Sequence, residues 1–339
     1  MKAYQIGDQT GLDSLTPTTR PELIPGRGEA VLRVKLVCLN HRDMLVLSGA
    51  YGARRPPERV PLSEGVGEVI AIGDGVTGIQ VGDRAVFAHF VTWIDGGFSP
   101  AAFAHDVGIT HDGWLAEQVK VPAAALVRVP DTVSDEQAAP LASSALTAWH
   151  ALVSVGQIKA GDRVLALGTG GVSIFALQLA KASGAQVAIT SSSDAKLDFV
   201  RSLGADICIN YRTTPNWAAA LMEATGNKGA DIVVETGGQA TLGQSISAAA
   251  VNGRIVIIGA LAGAVGESLP NYASIIGKNL TLKGIAEGSR AMLTNLVDAV
   301  AANDIHPVID RTFAFDDAAN AYRYLHSGAH VGKVMIKVS

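Results

Sequence analysis

The segment Gly168-Thr169-Gly170-Gly171-Val172-Ser173 follows the apolar run Arg163 to Leu167 and leads straight into a helical pattern from Val172 to Ser183. A glycine turn between a strand and a helix can bind a dinucleotide. The first glycine permits the tight bend, the second lets the backbone approach a pyrophosphate, and the helix start offers N–H groups and positive dipole to the phosphates. Gly168, Gly170, Gly171 and Val172 are therefore candidate cofactor contacts. The third glycine position holds Ser173, which is small enough for close helix–strand packing. Such a turn also fits a purely structural bend, but here the preceding strand, the helix and a second strand supply the required context.

The nucleotide is read from the tip of the second strand. An acidic side chain about 20 residues on would hold the ribose 2′-OH of NAD and repel a 2′-phosphate. Ser191 lies 21 residues past Gly170 and opens the run Ser191-Ser192-Ser193. Its hydroxyls can donate to a phosphate, and Lys196 and Tyr211-Arg212 bring cation and donor groups to the same end of the sheet. This predicts NADP(H). The alternative is a polar turn with a solvated lysine, and Asp194 is the acidic residue nearest the tip.

These residues need two kinds of scaffold. Before residue 145, short runs such as Ala30 to Cys38, Val66 to Ile72 and Val81 to Phe87 alternate or carry β-branched residues between glycine and proline turns, which predicts a largely antiparallel unit. Val91 to Trp114 lacks periodicity and reads as a long surface loop. From about residue 145, the apolar strands Arg163–Leu167, Gln186–Thr190, Ala230–Val234 and Arg254–Ile258 alternate with helical segments, the pattern of βαβ units in a parallel sheet covered on both faces. The last fifty residues, with helices at Leu293–Asn303 and Ala318–His326 and a strand at Lys333–Val338, are expected to return to the first domain.

Composition agrees. The 339 residues suit two domains, with 48% hydrophobic and 17% charged residues; 27 Lys+Arg against 31 Asp+Glu give a net charge of −4, which argues against a nucleic-acid partner. Cys38 and Cys208 form no C-x-x-C pair, so neither a disulfide framework nor a cysteine-rich zinc module is expected, and a reducing cytoplasm is the simplest compartment. The polar start Met1 to Asp8 does not resemble a signal peptide. The uncharged run Val164 to Ala180 is shorter than the ~20 residues of a membrane helix, so no membrane partner is expected.

The chain resembles the medium-chain dehydrogenase/reductase superfamily over essentially its whole length. The markers are Gly65-Val66-Gly67-Glu68-Val69, Val81-Gly82-Asp83-Arg84-Ala85, Leu146-Thr147-Ala148, the Gly168 turn and Gly332-Lys333-Val334. The resemblance implies an α/β protein: a GroES-like β-rich catalytic domain at 1–144 and 289–339, a Rossmann coenzyme domain with a doubly wound parallel sheet at 145–288, and an active site in the cleft between them. It also implies dimerisation through the edge of the coenzyme domain, near Asn271 to Ile285. Lys196 and Tyr211 match residues that hold the NADP phosphate, Thr147 matches a residue beside the nicotinamide and Gly259 to Gly263 the loop over that ring; Ser192, in the serine run, and Lys333 are further candidate cofactor contacts.

Zinc enzymes of that family carry a Cys-x-x-Asp ligand segment, a Gly-His-Glu motif and a later Cys. The matching segments here are Asn40-His41-Arg42-Asp43, Leu62-Ser63-Glu64 and Ser143. An amide and two hydroxyls replace the thiolates and imidazole that zinc selects, and Val91 to Trp114 lacks the four cysteines of the structural zinc site. His89, His105 and His111 imitate a metal cluster on paper but read as surface residues, so no metal is expected. Asn-x-x-Asp resembles instead the zinc-free quinone oxidoreductase and zeta-crystallin-like branch, in which Tyr51 matches a tyrosine lining the substrate cleft.

With Arg42 at the hydroxyl-relay position, simple alcohol oxidation has no visible machinery. A quinone or conjugated enone or enal needs less help, because hydride arriving at the remote carbon puts charge on an oxygen that neutral donors can stabilise. Asn40 and Tyr51 are the candidate donors, with a capping Asn and a packed Tyr as the alternatives. Asp43 is expected to orient its neighbours, and His41 either contacts the pyrophosphate or is a solvated loop residue. The rival functions are a metal-independent alcohol or aldehyde oxidoreductase and a catalytically weak NADPH-binding sensor or crystallin-like protein.

Overall fold

A computed structural model describes every residue except 260 and 262–270. The chain divides into two units, Met1–Leu146 with Gly288–Ser339, and Thr147–Glu287. Of the expected nicotinamide loop Gly259 to Gly263, residues 260, 262 and 263 lie outside the described residues.

In the first unit the ten-residue strand Glu29–Cys38 is the organising element. Its apolar side chains are buried while Arg33 and Lys35 face outward toward Glu68. Glu64–Ile72 pairs with it antiparallel along its length, Gln118–Pro122 pairs with its first half, and the C-terminal strand Lys333–Lys337 pairs with its last residues. The register Met335↔Cys38 brings the chain's end beside Asn40. The strands of this sheet pair antiparallel except Ile309–Ala314, which runs parallel to Lys333–Lys337. The core includes Trp114, fully buried and stacked on Phe87 at 4.5 Å between ring centroids.

The stretch from Val91 to Trp114 departs from the surface loop expected of it. Val91, Trp93, Val107, Ile109 and Trp114 are buried, a 3₁₀ turn covers Pro100–His105, and Phe90, Trp93, Phe98 and Phe103 pack edge-on to one another. Aromatic packing and local turns order this segment, and neither leaves a periodic signature.

Among the described residues the second unit has one sheet of six parallel strands. Across the sheet they run Ile207–Asn210, Gln186–Ser191, Arg163–Leu167, Ala230–Glu235, Ala249–Ile257 and Thr281–Gly284, the doubly wound order 3-2-1-4-5-6. Val164, Leu165, Ala166, Val187, Ile189, Val233 and Val234 are buried, as strands covered on both faces require. No helix among the described residues is long and apolar enough to cross a membrane.

Candidate functional site

The order of the strands reverses between Arg163–Leu167 and Ala230–Glu235, and in such sheets ligands bind outside the carboxyl ends of the strands at that point. Gly168 turns the chain there with φ +79°, a conformation that a side chain disfavours. A Cβ built on Gly168 or Gly170 would meet nothing within 4 Å, so the glycines keep backbone open to an approaching group. Gly170 caps the helix Gly171–Ala182 without any side-chain bond, which leaves the N–H groups of its first turn, Val172 included, for a ligand. Ser173 donates its hydroxyl to Leu167 O at 2.7 Å and ties helix to strand where a third glycine was expected.

The tips of the neighbouring strands complete this edge. Tyr211 N donates to Ser191 O at 3.0 Å, which holds Tyr211 beside the serine run. Ser193 caps the helix Asp194–Ser202 by accepting from Lys196 N, so Lys196 stands one turn above Ser191 and Ser192. Asp194, the acidic residue nearest the tip in sequence, accepts from Asn210 Nδ2 through Oδ1 at 2.7 Å. On the other side of the switch point, buried Glu235 accepts from the N–H groups of Gly237 and Gly238 and from Thr241, and it also binds Ser245 Oγ. It thereby shapes the turn from strand to helix, a role the sequence does not announce. A Cβ on Gly259 would sit 2.8 Å from Thr236 O, so that close approach requires glycine. Thr147 is buried on the helical segment Leu146–Trp149. These groups fit a dinucleotide: an open glycine turn, uncapped helix N–H groups, and hydroxyls and a cation at the second strand's tip.

In the first unit, Asn40 precedes the helix His41–Leu47 and its N–H donates to Asp43 Oδ2 at 2.7 Å. Its side chain enters a closed polar network. Asn40 Nδ2 donates to Glu64 Oε1 at 2.9 Å, while its Oδ1 accepts from Ser144 Oγ at 2.9 Å and from Lys333 Nζ at 2.7 Å. Lys333 Nζ lies 2.5 Å from Glu64 Oε1 and 2.9 Å from both Leu39 O and Ser144 Oγ. The other oxygen of Glu64 accepts from the amides of Ser143 and Ser144 at 2.8 and 3.3 Å. Lys333 and Glu64 side chains are only 3% and 0% exposed. The ammonium of Lys333, expected at a cofactor, is turned inward, and the amide of Asn40 keeps one Nδ2 proton for other partners. Ser144 joins the network without a sequence signal of its own. Beside it, Leu62 adopts φ +75°, unusual for a non-glycine residue, where the resembling motif has glycine.

Asp43 is 2% exposed, and burial pushes its carboxyl up to about 7 against the pull of Arg42, the Asn40 amide and Lys333. His41 is the helix's first residue, and desolvation, reinforced by the neighbouring His326, holds its imidazole below the usual value. Tyr51 is half-buried, with the Arg42 guanidinium carbon 5.0 Å from its ring centroid. His89 is buried rather than a surface residue, while His105 and His111 stack on each other in the open. No group of three or more His, Cys, Asp or Glu among the described residues is arranged to hold a metal ion.

Comparison with known proteins bears on both units. Residues 26–131 match the alcohol dehydrogenase GroES-like domain and residues 171–302 the zinc-binding dehydrogenase family. A zinc-type alcohol dehydrogenase-like protein of Schizosaccharomyces pombe is 41% identical over 99% of both chains. An acryloyl-coenzyme A reductase of Metallosphaera sedula is 29% identical over 92% of this chain and 93% of its own. Among solved structures, a quinone oxidoreductase of Pseudomonas syringae has 28% identity over 99% of both chains with a TM-score of 0.83. A mycobacterial protein complexed with NADPH has 27% identity over 100% of both chains, also with a TM-score of 0.83. With both units matched and a relative 41% identical from end to end, the chain belongs to the medium-chain dehydrogenase/reductase superfamily and is an NAD(P)H-dependent oxidoreductase.

Proposed function

We propose that this oxidoreductase uses NADPH to reduce a quinone or a conjugated enone or enal, without zinc. The observation that carries the reading is the closed network of Asn40, Glu64, Ser144 and Lys333. Both Glu64 oxygens are taken by donors, one of them a buried ammonium, and Asn40, Ser63 and Ser143 bring an amide and two hydroxyls to the other positions where zinc relatives have ligands. That donor set does not fit zinc, which selects thiolate and imidazole. Elemental analysis of the purified protein is expected to find far less than one zinc per chain; a stoichiometric zinc whose removal abolishes activity would overturn this part.

When bound, the nicotinamide supplies the hydride. The chain's own task is to orient the substrate and stabilise charge on its oxygen. A conjugated carbonyl delocalises that charge away from the carbon attacked, so neutral donors suffice: the Tyr51 hydroxyl and the remaining Nδ2 proton of Asn40. The substrate also gains one proton, which water supplies; Asp43, buried and bonded to the Asn40 amide, holds the start of this helix rather than delivering it. The names of the acryloyl-coenzyme A reductase and quinone oxidoreductase relatives support this substrate class, since both describe conjugated acceptors.

The choice of NADPH rests on Ser191, Ser192, Lys196 and Tyr211 at the second strand's tip, and the mycobacterial NADPH complex supports it. Placing aspartate at Ser191 sets a carboxylate against the 2′-phosphate, so Ser191→Asp is expected to shift the kcat/KM ratio toward NADH on the order of a hundredfold. The test is consumption of NADPH and NADH over quinones, enones, enals and simple alcohols, with Tyr51→Phe beside the unmodified protein. Turnover of enones or quinones with NADPH, reduced in Tyr51→Phe, is expected. Turnover of alcohols alone, or equal use of NADH, would refute the reading. A homodimer is proposed as well: Thr281–Gly284 is an edge strand, and Val251, Tyr272 and Ile276 expose 66%, 63% and 78% of their surface near it.

A further inference from the structure

We infer that Arg42 is a positioning residue for Tyr51, locked in place by Asp106 and His89; the inference rests on the reading of Tyr51 as the substrate-side donor. Arg42 Nη2 binds both oxygens of Asp106 at 2.8 Å, and Nη1 lies 2.6 Å from His89 Nε2. Arginine carries only donors, so His89 Nε2 accepts, and its ring proton sits on Nδ1, 2.8 Å from Asp106 Oδ1. The three side chains form a closed cycle in which each fixes the other two. Asp106 and His89 are 2% and 3% exposed, and the Arg42 side chain 11%.

The backbone beneath the cycle is also held. Asp106 bridges to Phe90, its N–H donates to Thr110 Oγ1 at 2.8 Å, and Val107 N donates to His89 O at 2.9 Å. Tyr51 lies in a less regular segment, partly buried against the core of this unit. It stands between Gly49 at φ +67° and Gly52 at φ +72°, in a turn outside any helix or strand. The guanidinium over its ring links the tyrosine to this rigid cycle. A planar cation at this distance attracts the ring face, restricts the ring's tilt, and thereby sets the direction of the hydroxyl. The position that carries a hydroxyl relay in the resembling zinc enzymes here holds the group that aims a different hydroxyl.

The test is a double-mutant cycle on the full chain with Arg42→Met, Tyr51→Phe and the pair, measuring kcat and KM for a neutral enone and a quinone, and NADPH binding by fluorescence. Because Arg42→Met leaves Asp106 buried without its cation, Arg42→Met/Asp106→Asn is run alongside as the variant without a stranded charge. Arg42→Met is expected to lower kcat about tenfold, the scale of a half-buried cation–π contact, with NADPH affinity unchanged. In the Tyr51→Phe background the same change should cost less than about twofold, because there is no hydroxyl left to aim. Equal losses in both backgrounds would overturn the positioning role while leaving the reading of Tyr51 intact. A silent Tyr51→Phe would overturn that reading and the inference with it. A rise in KM confined to anionic substrates would show that Arg42 binds substrate directly and would likewise overturn it.

Discussion

Lys333→Met is expected to lower the unfolding free energy by about 3 to 5 kcal/mol, the range for removing one partner of a buried ion pair. Glu64 is fully buried, and after the change its charge would be faced by the Asn40 amide and two backbone N–H groups but by no cation. Asn40 Oδ1, Ser144 Oγ and Leu39 O would lose the same donor at once. Most of the loss comes from stranding the carboxylate rather than from the attraction itself, because burying two charges costs about as much as their pairing returns. Lys333→Met/Glu64→Gln removes both charges and is therefore expected to recover more than half of it. Urea unfolding of the three proteins at one concentration measures both effects. A single-variant loss below about 1 kcal/mol would mean the ammonium is not buried as described.

The contrast between this network and the glycine turn explains what the sequence makes legible. The strands Arg163–Leu167 and Gln186–Ser191, the helix between them and the turn at Gly168 are contiguous, and each leaves a local mark: an apolar run, a helical period, a glycine that bends. Ser193, in what reads only as a polar turn, proves to cap the next helix. Lys333 has no local mark. It reaches Glu64 because the C-terminal strand joins Glu29–Cys38 in a register that places Met335 opposite Cys38, and nothing within reach of a sequence window records that pairing. His89 and Asp106 show the same limit. They meet Arg42 through a bridge within a segment ordered by aromatic contacts, which reads as an unstructured loop. Long-range pairing also redirects residues that the sequence singles out: Asn40 opens the helix His41–Leu47, yet most of its amide is spent on the network.

Asp43→Asn is expected to stabilise the protein most above neutral pH, less at pH 5, and little below about pH 4. Burial, the dominant influence, raises the Asp43 carboxyl from 3.8 to about 7, with Glu64 adding to the rise and Arg42, the Asn40 amide and Lys333 opposing it. The folded protein therefore holds a proton that the unfolded chain releases near 3.8. Stability from this group is fully present below that value, falls as pH climbs toward about 7, and levels off above it. A separation of about three pKa units corresponds to roughly 4 kcal/mol of lost stability on the alkaline side. Asparagine carries no charge to bury, and its side-chain oxygen can keep the bond now made by Asn40 N to Asp43 Oδ2 at 2.7 Å. Tyr322, fully buried with its hydroxyl also raised by burial and by Asp43, offers no compensating charge. Unfolding free energies at pH 5 and pH 8 should accordingly converge in Asp43→Asn relative to the unmodified protein, with the gain at pH 8 amounting to several kcal/mol. A variant destabilised equally at both pH values would show that Asp43 is ionised throughout, its charge held by Arg42 and Lys333, and that the helix carrying Arg42 depends on a carboxylate rather than a carboxylic acid.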